Sequence, residues 1–185
     1  MNNYSLFVRF LAENKINRDF LNSDEDKMLT VFTEMFRQSK KEVRIFAGNL
    51  CNESTNSEQY IDAISDFIEA NGKVRILLNS FERDCALDSN LFRRLAFYKN
   101  AGYDVIVKDT NMMPYITERG QQKYVHFSVG DCSIYRVEID TELRRAICNM
   151  HNETTSKALA DTFDKVFESD DSREINLIDL FDRKQ

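Results

Sequence analysis

Between residues 123 and 138 the sequence gathers the side chains best able to do chemistry: Lys123, Tyr124, His126, Asp131, Tyr135, Arg136 and Glu138. An imidazole moves protons or attacks phosphorus near neutral pH, and a carboxylate orients it. A guanidinium holds phosphate through two parallel hydrogen bonds. A phenol is the weaker nucleophile, because its ordinary pKa of about 10 keeps it protonated at neutral pH. The stretch reads as a β-hairpin, with two runs of aromatic and β-branched residues flanking Gly130 and Asp131. That pair suits a two-residue turn with positive φ. Such a turn sets Val129 opposite Cys132, His126 opposite Tyr135 and Tyr124 opposite Val137. Tyr124, His126 and Tyr135 then share one face, and Arg136 and Glu138 share the other with Val125 and Phe127. On this reading the three rings line a cleft. The competing expectation is a packed sheet in which His126 bonds to a tyrosine or a carbonyl and Arg136 pairs with Glu138 or another acid.

Further candidates stand where predicted strands end. Asn49, Asn79 and Asn149 occupy such exits, with Ser80 and Asp109 nearby, and open α/β sheets bind ligands outside the carboxyl ends of their strands. Arg119 and Lys123 close a loop over 109–122 that contains the only proline, Pro114. The loop is long enough to border a site, and its two cations can meet a phosphate. His151 sits at the start of the last predicted helix.

The elements that position these residues follow from periodicity. A helix opens at Ser23, has acidic residues in its first turn, presents Met28, Val31, Phe32, Met35 and Phe36 on one face, and closes at Lys40 and Lys41. Strands are expected over 43–47, 74–78 and 103–107. Helices from Ser57 and over 88–100 link them, each followed by glycine at its end. This β-helix-β-helix-β order predicts parallel strands joined by right-handed crossovers. The hairpin follows, then a strand over 145–149 and a helix capped by Asn152. Residues 1–22 read as an extension of ambiguous structure, and 169–185 as an acidic tail with a short amphipathic segment that docks on the domain.

Composition narrows the function classes. The 185 residues, 42% hydrophobic and 30% charged, describe one folded domain. No apolar run approaches the roughly 20 residues that span a bilayer, and the first residues do not read as a leader, so a cytoplasmic protein is expected. The net charge of −6 argues against general nucleic-acid binding. Four cysteines without a Cys-x-x-Cys pair and only two histidines predict reduced thiols and no metal. No glycine-rich phosphate loop or dinucleotide fingerprint occurs, so no cofactor is expected.

The order of elements resembles one unit of the phospholipase D superfamily: a parallel βαβαβ half, a hairpin, a strand and a helix. The family signature in the hairpin is H-x-K-x4-D. With Asp131 on its aspartate, Tyr124 stands at the family histidine and His126 at the family lysine. In a shifted alignment His126 takes the histidine position, Ser128 the lysine position, and Asp131 falls two residues early. The resemblance implies an α/β domain over 1–168 with a central mixed, mostly parallel sheet and helices on both faces. It also implies a homodimer, because two such motifs meet in that family. There the histidine forms a phospho-enzyme and the lysine steadies the phosphoryl oxygens. With both residues changed, the implied function is a catalytically degenerate domain acting in binding or assembly, on a phosphate-containing ligand, nucleic acid or a protein partner. One alternative is an active, metal-independent phosphodiesterase or nuclease, with Tyr124 or His126 as nucleophile and Arg119, Lys123 or Arg136 as cation. The other is an unrelated α/β domain that senses nucleotides or binds partners.

Overall fold

The alternation of short apolar runs with amphipathic segments builds strands of one large sheet and the helices that cover it. The structure, a computed structural model, describes residues 3–118, 120–140 and 145–182. In chain order the elements are α1 (Asn3–Glu13), β1 (Phe20–Asn22), α2 (Glu25–Gln38), β2 (Glu42–Ala47), α3 (Glu58–Glu69), β3 (Lys73–Leu78), α4 (Arg83–Asp88), α5 (Asn90–Asn100) and β4 (Val105–Thr110). After these come β5 (Tyr115–Glu118), β6 (Gln121–Tyr124), β7 (His126–Gly130), β8 (Ile134–Asp140), β9 (Arg145–Asn149), α6 (Glu153–Phe167), β10 (Ser172–Glu174) and α7 (Leu177–Phe181).

Eight strands form one sheet in the order β1-β9-β8-β7-β2-β3-β4-β10. The expected crossover unit is its centre: β2 pairs β3 and β3 pairs β4, both parallel. The sheet is mixed as expected, but the proportion differs. Five of its seven ladders are antiparallel: β7, β8 and β9 are consecutive strands that pair in turn, and β1, β7 and β10 come from distant parts of the chain to lie antiparallel against β9, β2 and β4. Residues 1–22 and the tail, both left open by periodicity, supply the two outermost strands, β1 against β9 and β10 against β4. The amphipathic tail segment is α7, which buries Leu177 and Leu180.

Helices cover both faces. On one, α2, α3 and α5 pack Val31, Met35, Phe36, Ile64, Leu91 and Leu95 over Val43, Ile45, Val74, Ile76 and Val107. On the other, α6 lays Ala160 and Phe163 over Phe46, Leu77, Phe127 and Val129. The caps follow local chemistry. Ser57 accepts from the amide of Tyr60, and Asn152 accepts from that of Thr155. The cap of α2 is Asp24, one residue beyond the serine expected. Among the described residues, no helix is long and apolar enough to cross a membrane.

The hairpin β7–β8 differs from its expected form. Gly130 ends β7 opposite Ile134, and the loop is Asp131, Cys132 and Ser133. Asp131 and Cys132 take the positive φ values, 49° and 54°. Gly130 is glycine for another reason: a Cβ there would run into Ser39 Oγ and press on Met35 of α2. Gly130→Ala is therefore expected to cost about 1–2 kcal/mol by overpacking, measured as a lower midpoint in urea denaturation.

Candidate functional site

The longer loop shifts the hairpin register by three residues, and an odd shift turns every side chain to the other face. His126 lies opposite Glu138, not Tyr135, and Ser128 lies opposite Arg136. These four residues therefore share the face that meets α2. They line a cavity of about 150 Å³ with Met28, Phe32, Gly48, Asn49, Asn52 and Thr55. The cavity sits at the carboxyl end of β2, where the chain leaves the sheet through Gly48 and Asn49.

At its centre is a buried charge pair. Arg136 is 3% exposed and Glu138 is 6% exposed. Arg136 Nη2 lies 3.2 Å from Glu138 Oε1, and its Nε donates to Asn22 Oδ1 at 3.0 Å. Its guanidinium also stands over the Phe32 ring, 5.4 Å from the centroid. His126 Nδ1 is 3.6 Å from the other carboxylate oxygen. Burial by itself pushes the Glu138 carboxyl up, but His126 and Arg136 together outweigh it and hold the group below its ordinary value. His126 is the partly open member, and its Cε1 edge lies 3.7 Å from where a Cβ on Gly48 would be.

The other candidates lie elsewhere. Tyr124 is in β6, paired with Tyr115 in a separate two-stranded ribbon, and is 59% exposed. The cluster of Tyr124, His126 and Tyr135 expected from the two-residue turn therefore does not form. The loop expected over 109–122 contains β5 and most of this ribbon, and Lys123 is exposed on β6. Tyr135 points to the opposite face, where its hydroxyl donates to Asp19 Oδ1 at 2.8 Å. Burial and that hydrogen bond raise its pKa. Asn149 joins the same group, donating to Asn17 and Asp19 and accepting from the amide of His151. Its role is to tie the segment before β1 to β9.

Asp131 is at the far end of β7 from His126. Its carboxylate accepts from the amides of Lys40, Lys41 and Glu42, so it anchors the start of β2. Asn79 sits at the end of β3, beside Ala47, and does not line the cavity. Asn49 does line it, and its side chain accepts from the amide of Cys51. Arg119 lies outside the described residues. Among the described residues, no three His, Cys, Asp or Glu side chains gather as metal ligands do.

Sequence reasoning missed Asn52, Thr55 and the Asn22 contact as parts of this site, and it reached Ser128 only through the shifted alignment. One signal was available for Ser128. A three-residue loop puts Phe127, Val129 and Val137 on one face and the polar His126, Ser128, Arg136 and Glu138 on the other.

No family model matches the sequence, and no curated protein matches it. Solved structures do resemble the fold. The archaeal chromatin protein TrmBL2, whose structure is described as showing a novel mode of DNA binding, has a TM-score of 0.61 at 12% identity over 92% of this chain. This chain spans only 61% of that protein. Nuc, a phospholipase D family member from Salmonella typhimurium, has a TM-score of 0.56 at 8% identity, covering 85% of this chain and 99% of Nuc. NucT from Helicobacter pylori has a TM-score of 0.55 at 10% identity with the same two coverages. The chain thus has a phospholipase D-like α/β fold, with one mixed sheet and helices on both faces.

Proposed function

We propose that this chain is a phospholipase D-like domain that works by binding or assembly and not by phosphodiester hydrolysis. One observation carries the reading: Arg136, the only permanent cation lining the cavity among the described residues, is already engaged by Glu138, Asn22 and Phe32. Phosphoryl transfer concentrates negative charge on the equatorial oxygens and needs cations aimed at them. Here the cationic group is neutralised from within. Tyr124, at the position of the family nucleophile when Asp131 is aligned, faces solvent on the outlying ribbon. The ligand that suits such a site is small and reaches His126, the partly exposed imidazole of the lining. TrmBL2's DNA binding is not carried over, since a net charge of −6 disfavours contact with a phosphate backbone.

The test incubates DNA, RNA and a generic phosphodiester with the protein, with and without divalent metal. Wild type and His126→Ala are expected to match the blank. Turnover that His126→Ala abolishes at unchanged melting temperature reverses the reading. A phosphate-bearing ligand seated at the cavity is expected to raise the melting temperature of wild type, and to raise that of His126→Ala less.

A second reading has its own observation. Glu138 beside Nδ1 of His126 is the kind of carboxylate contact that orients an imidazole and leaves Nε2 for attack. A covalent phosphoryl adduct on His126, seen by mass spectrometry, would promote it.

A further inference from the structure

Cys51 and Cys85 meet at the carboxyl edge of the sheet. Cys51 follows β2, and Cys85 lies in α4, which follows β3. These strands are parallel neighbours, with Ala47 opposite Leu78. Their pairing continues past the strand ends: the Asn79 amide donates to the Ala47 carbonyl at 3.1 Å and the Ser80 amide to the Gly48 carbonyl at 3.2 Å. A second tie lies further along. Ser89 Oγ donates to Asn56 Oδ1 at 2.7 Å, and the Leu91 amide donates to the same oxygen at 3.2 Å. The stretches 48–56 and 80–91 are thus held together at both ends, with the two cysteines between the ties. Their thiols come within hydrogen-bonding reach of each other. Both are free and partly exposed, so a small reagent can approach them. Cys148, by contrast, is fully buried with its Sγ 3.4 Å from Asn22 Oδ1.

The two thiols are unequal. Burial pushes the Cys51 thiol up to about 12, and Cys85 adds to the rise through a hydrogen bond and through its charge when ionised. The thiolate is the attacking species, so Cys51 is the poorer first nucleophile. The share of the rise that Cys85 causes disappears once the Cys85 sulfur is in a covalent bond. Cys51 is then the thiol placed to attack that sulfur. Cys51 also belongs to the loop that walls the cavity through Asn49, Leu50, Asn52 and Thr55. Leu50 takes φ 57° with its side chain buried, a backbone state that leucine seldom adopts. Its carbonyl accepts from Thr55 Oγ1 at 2.6 Å. The shape of this wall is therefore imposed by its contacts, and a bond at Cys51 acts directly on it.

We propose that Cys51 and Cys85 form a thiol–disulfide exchange site, whose oxidant is a low-molecular-weight disulfide and whose product is a reversible Cys51–Cys85 bond that fastens the cavity wall to α4. The Cys85 thiolate attacks one sulfur of the oxidant, forms a mixed disulfide and displaces the first small thiolate. The Cys51 thiolate then attacks the Cys85 sulfur, the Cys51–Cys85 bond forms, and the second small thiolate leaves. The protein gives up two electrons and two protons. The oxidant takes up both and becomes two small thiols. The site does not depend on what the cavity binds.

The test incubates the native protein with oxidised glutathione, alkylates the remaining thiols with N-ethylmaleimide and digests with trypsin. Of the four cysteines, wild type is expected to leave two for alkylation and to yield peptide 45–73 joined to peptide 84–93. Dithiothreitol is expected to restore all four thiols. Cys51→Ser is expected to stop with one glutathione on Cys85, and Cys85→Ser to take none on Cys51. Hydrogen exchange compares oxidised with reduced wild type. Amides of residues 49–56 are expected to slow by about tenfold or more in the oxidised form. Four alkylated cysteines after incubation overturn the proposal. So does a bond that joins a different pair, glutathione on Cys85 that Cys51 never displaces, or a linked protein whose 49–56 amides exchange as before. The hydrolysis test reads a different site, and its result leaves this one in place.

Discussion

Replacing Glu138 by alanine is expected to destabilise the protein by about 3–5 kcal/mol, because it leaves the buried Arg136 without its counter-charge. The guanidinium keeps Asn22 and the Phe32 ring, but neither is an anion. A control separates isolated charge from lost packing. Arg136→Met/Glu138→Leu removes both charges at similar volume and is expected to recover most of the loss, as buried ion pairs exchanged whole for apolar residues often do. Denaturant midpoints of wild type, the single variant and the double variant decide the matter. A double variant as unstable as Glu138→Ala would show that uncompensated charge is not the cause.

The same carboxyl predicts a pH dependence. Its pKa is lower in the folded protein than in the unfolded chain, where a glutamate titrates near about 4.3. The unfolded chain therefore takes up the proton first as pH falls. The stabilisation is complete above the ordinary glutamate range. It declines as pH drops from there towards the lower native value, and it is absent below that value. Glu138→Gln has no such group, so the stability gap between it and wild type is expected to narrow on acidification below about pH 4.3. A gap that stays constant would mean that Glu138 titrates alike in both states.

The crossover unit was readable because its strands and helices differ in period and its caps obey local rules. Ser57 and Asn152 cap the helices they were expected to cap. The hairpin was not, and Gly130 explains why. A glycine beside an aspartate looks like a turn, but this glycine is a strand residue kept small by Ser39. The positive φ values fall on Asp131 and on Cys132, a residue type with no marked preference for that region. The resulting odd slip exchanged the two faces, so the sequence reading grouped Tyr135 with His126, whereas the fold groups Glu138 and Arg136 with it. The ribbon was missed because strands of four residues beside a lone proline carry little periodicity. Arg136 was expected to pair with Glu138 or another acid inside a packed sheet, and the fold supplies Glu138; His126 meets that same carboxylate and not the tyrosine or carbonyl expected.

Asp131→Ala is the second large effect, expected at about 2–4 kcal/mol, because hydrogen bonds to a charged group contribute roughly 1.5–3 kcal/mol each and neighbouring ones do not add in full. Its Oδ2 accepts from the amide of Lys40 at 2.6 Å, and its Oδ1 accepts from the amides of Lys41 and Glu42 at 2.9 Å each. In return, the Asp131 amide donates to the Glu42 carbonyl at 3.0 Å. The loop thus holds the end of α2 and the start of β2, the strand on which the cavity depends. Alanine loses all three side-chain bonds and also pays for φ 49°, which aspartate and asparagine tolerate better. Asp131→Asn keeps one oxygen and the backbone tolerance, so it is expected to lose about half as much. Asp131→Gly relieves the backbone but restores no acceptor, and is expected to sit close to alanine. That order in urea midpoints (wild type, asparagine, then glycine and alanine) identifies the carboxylate as an anchor. Glycine as stable as wild type would assign the residue's importance to φ alone.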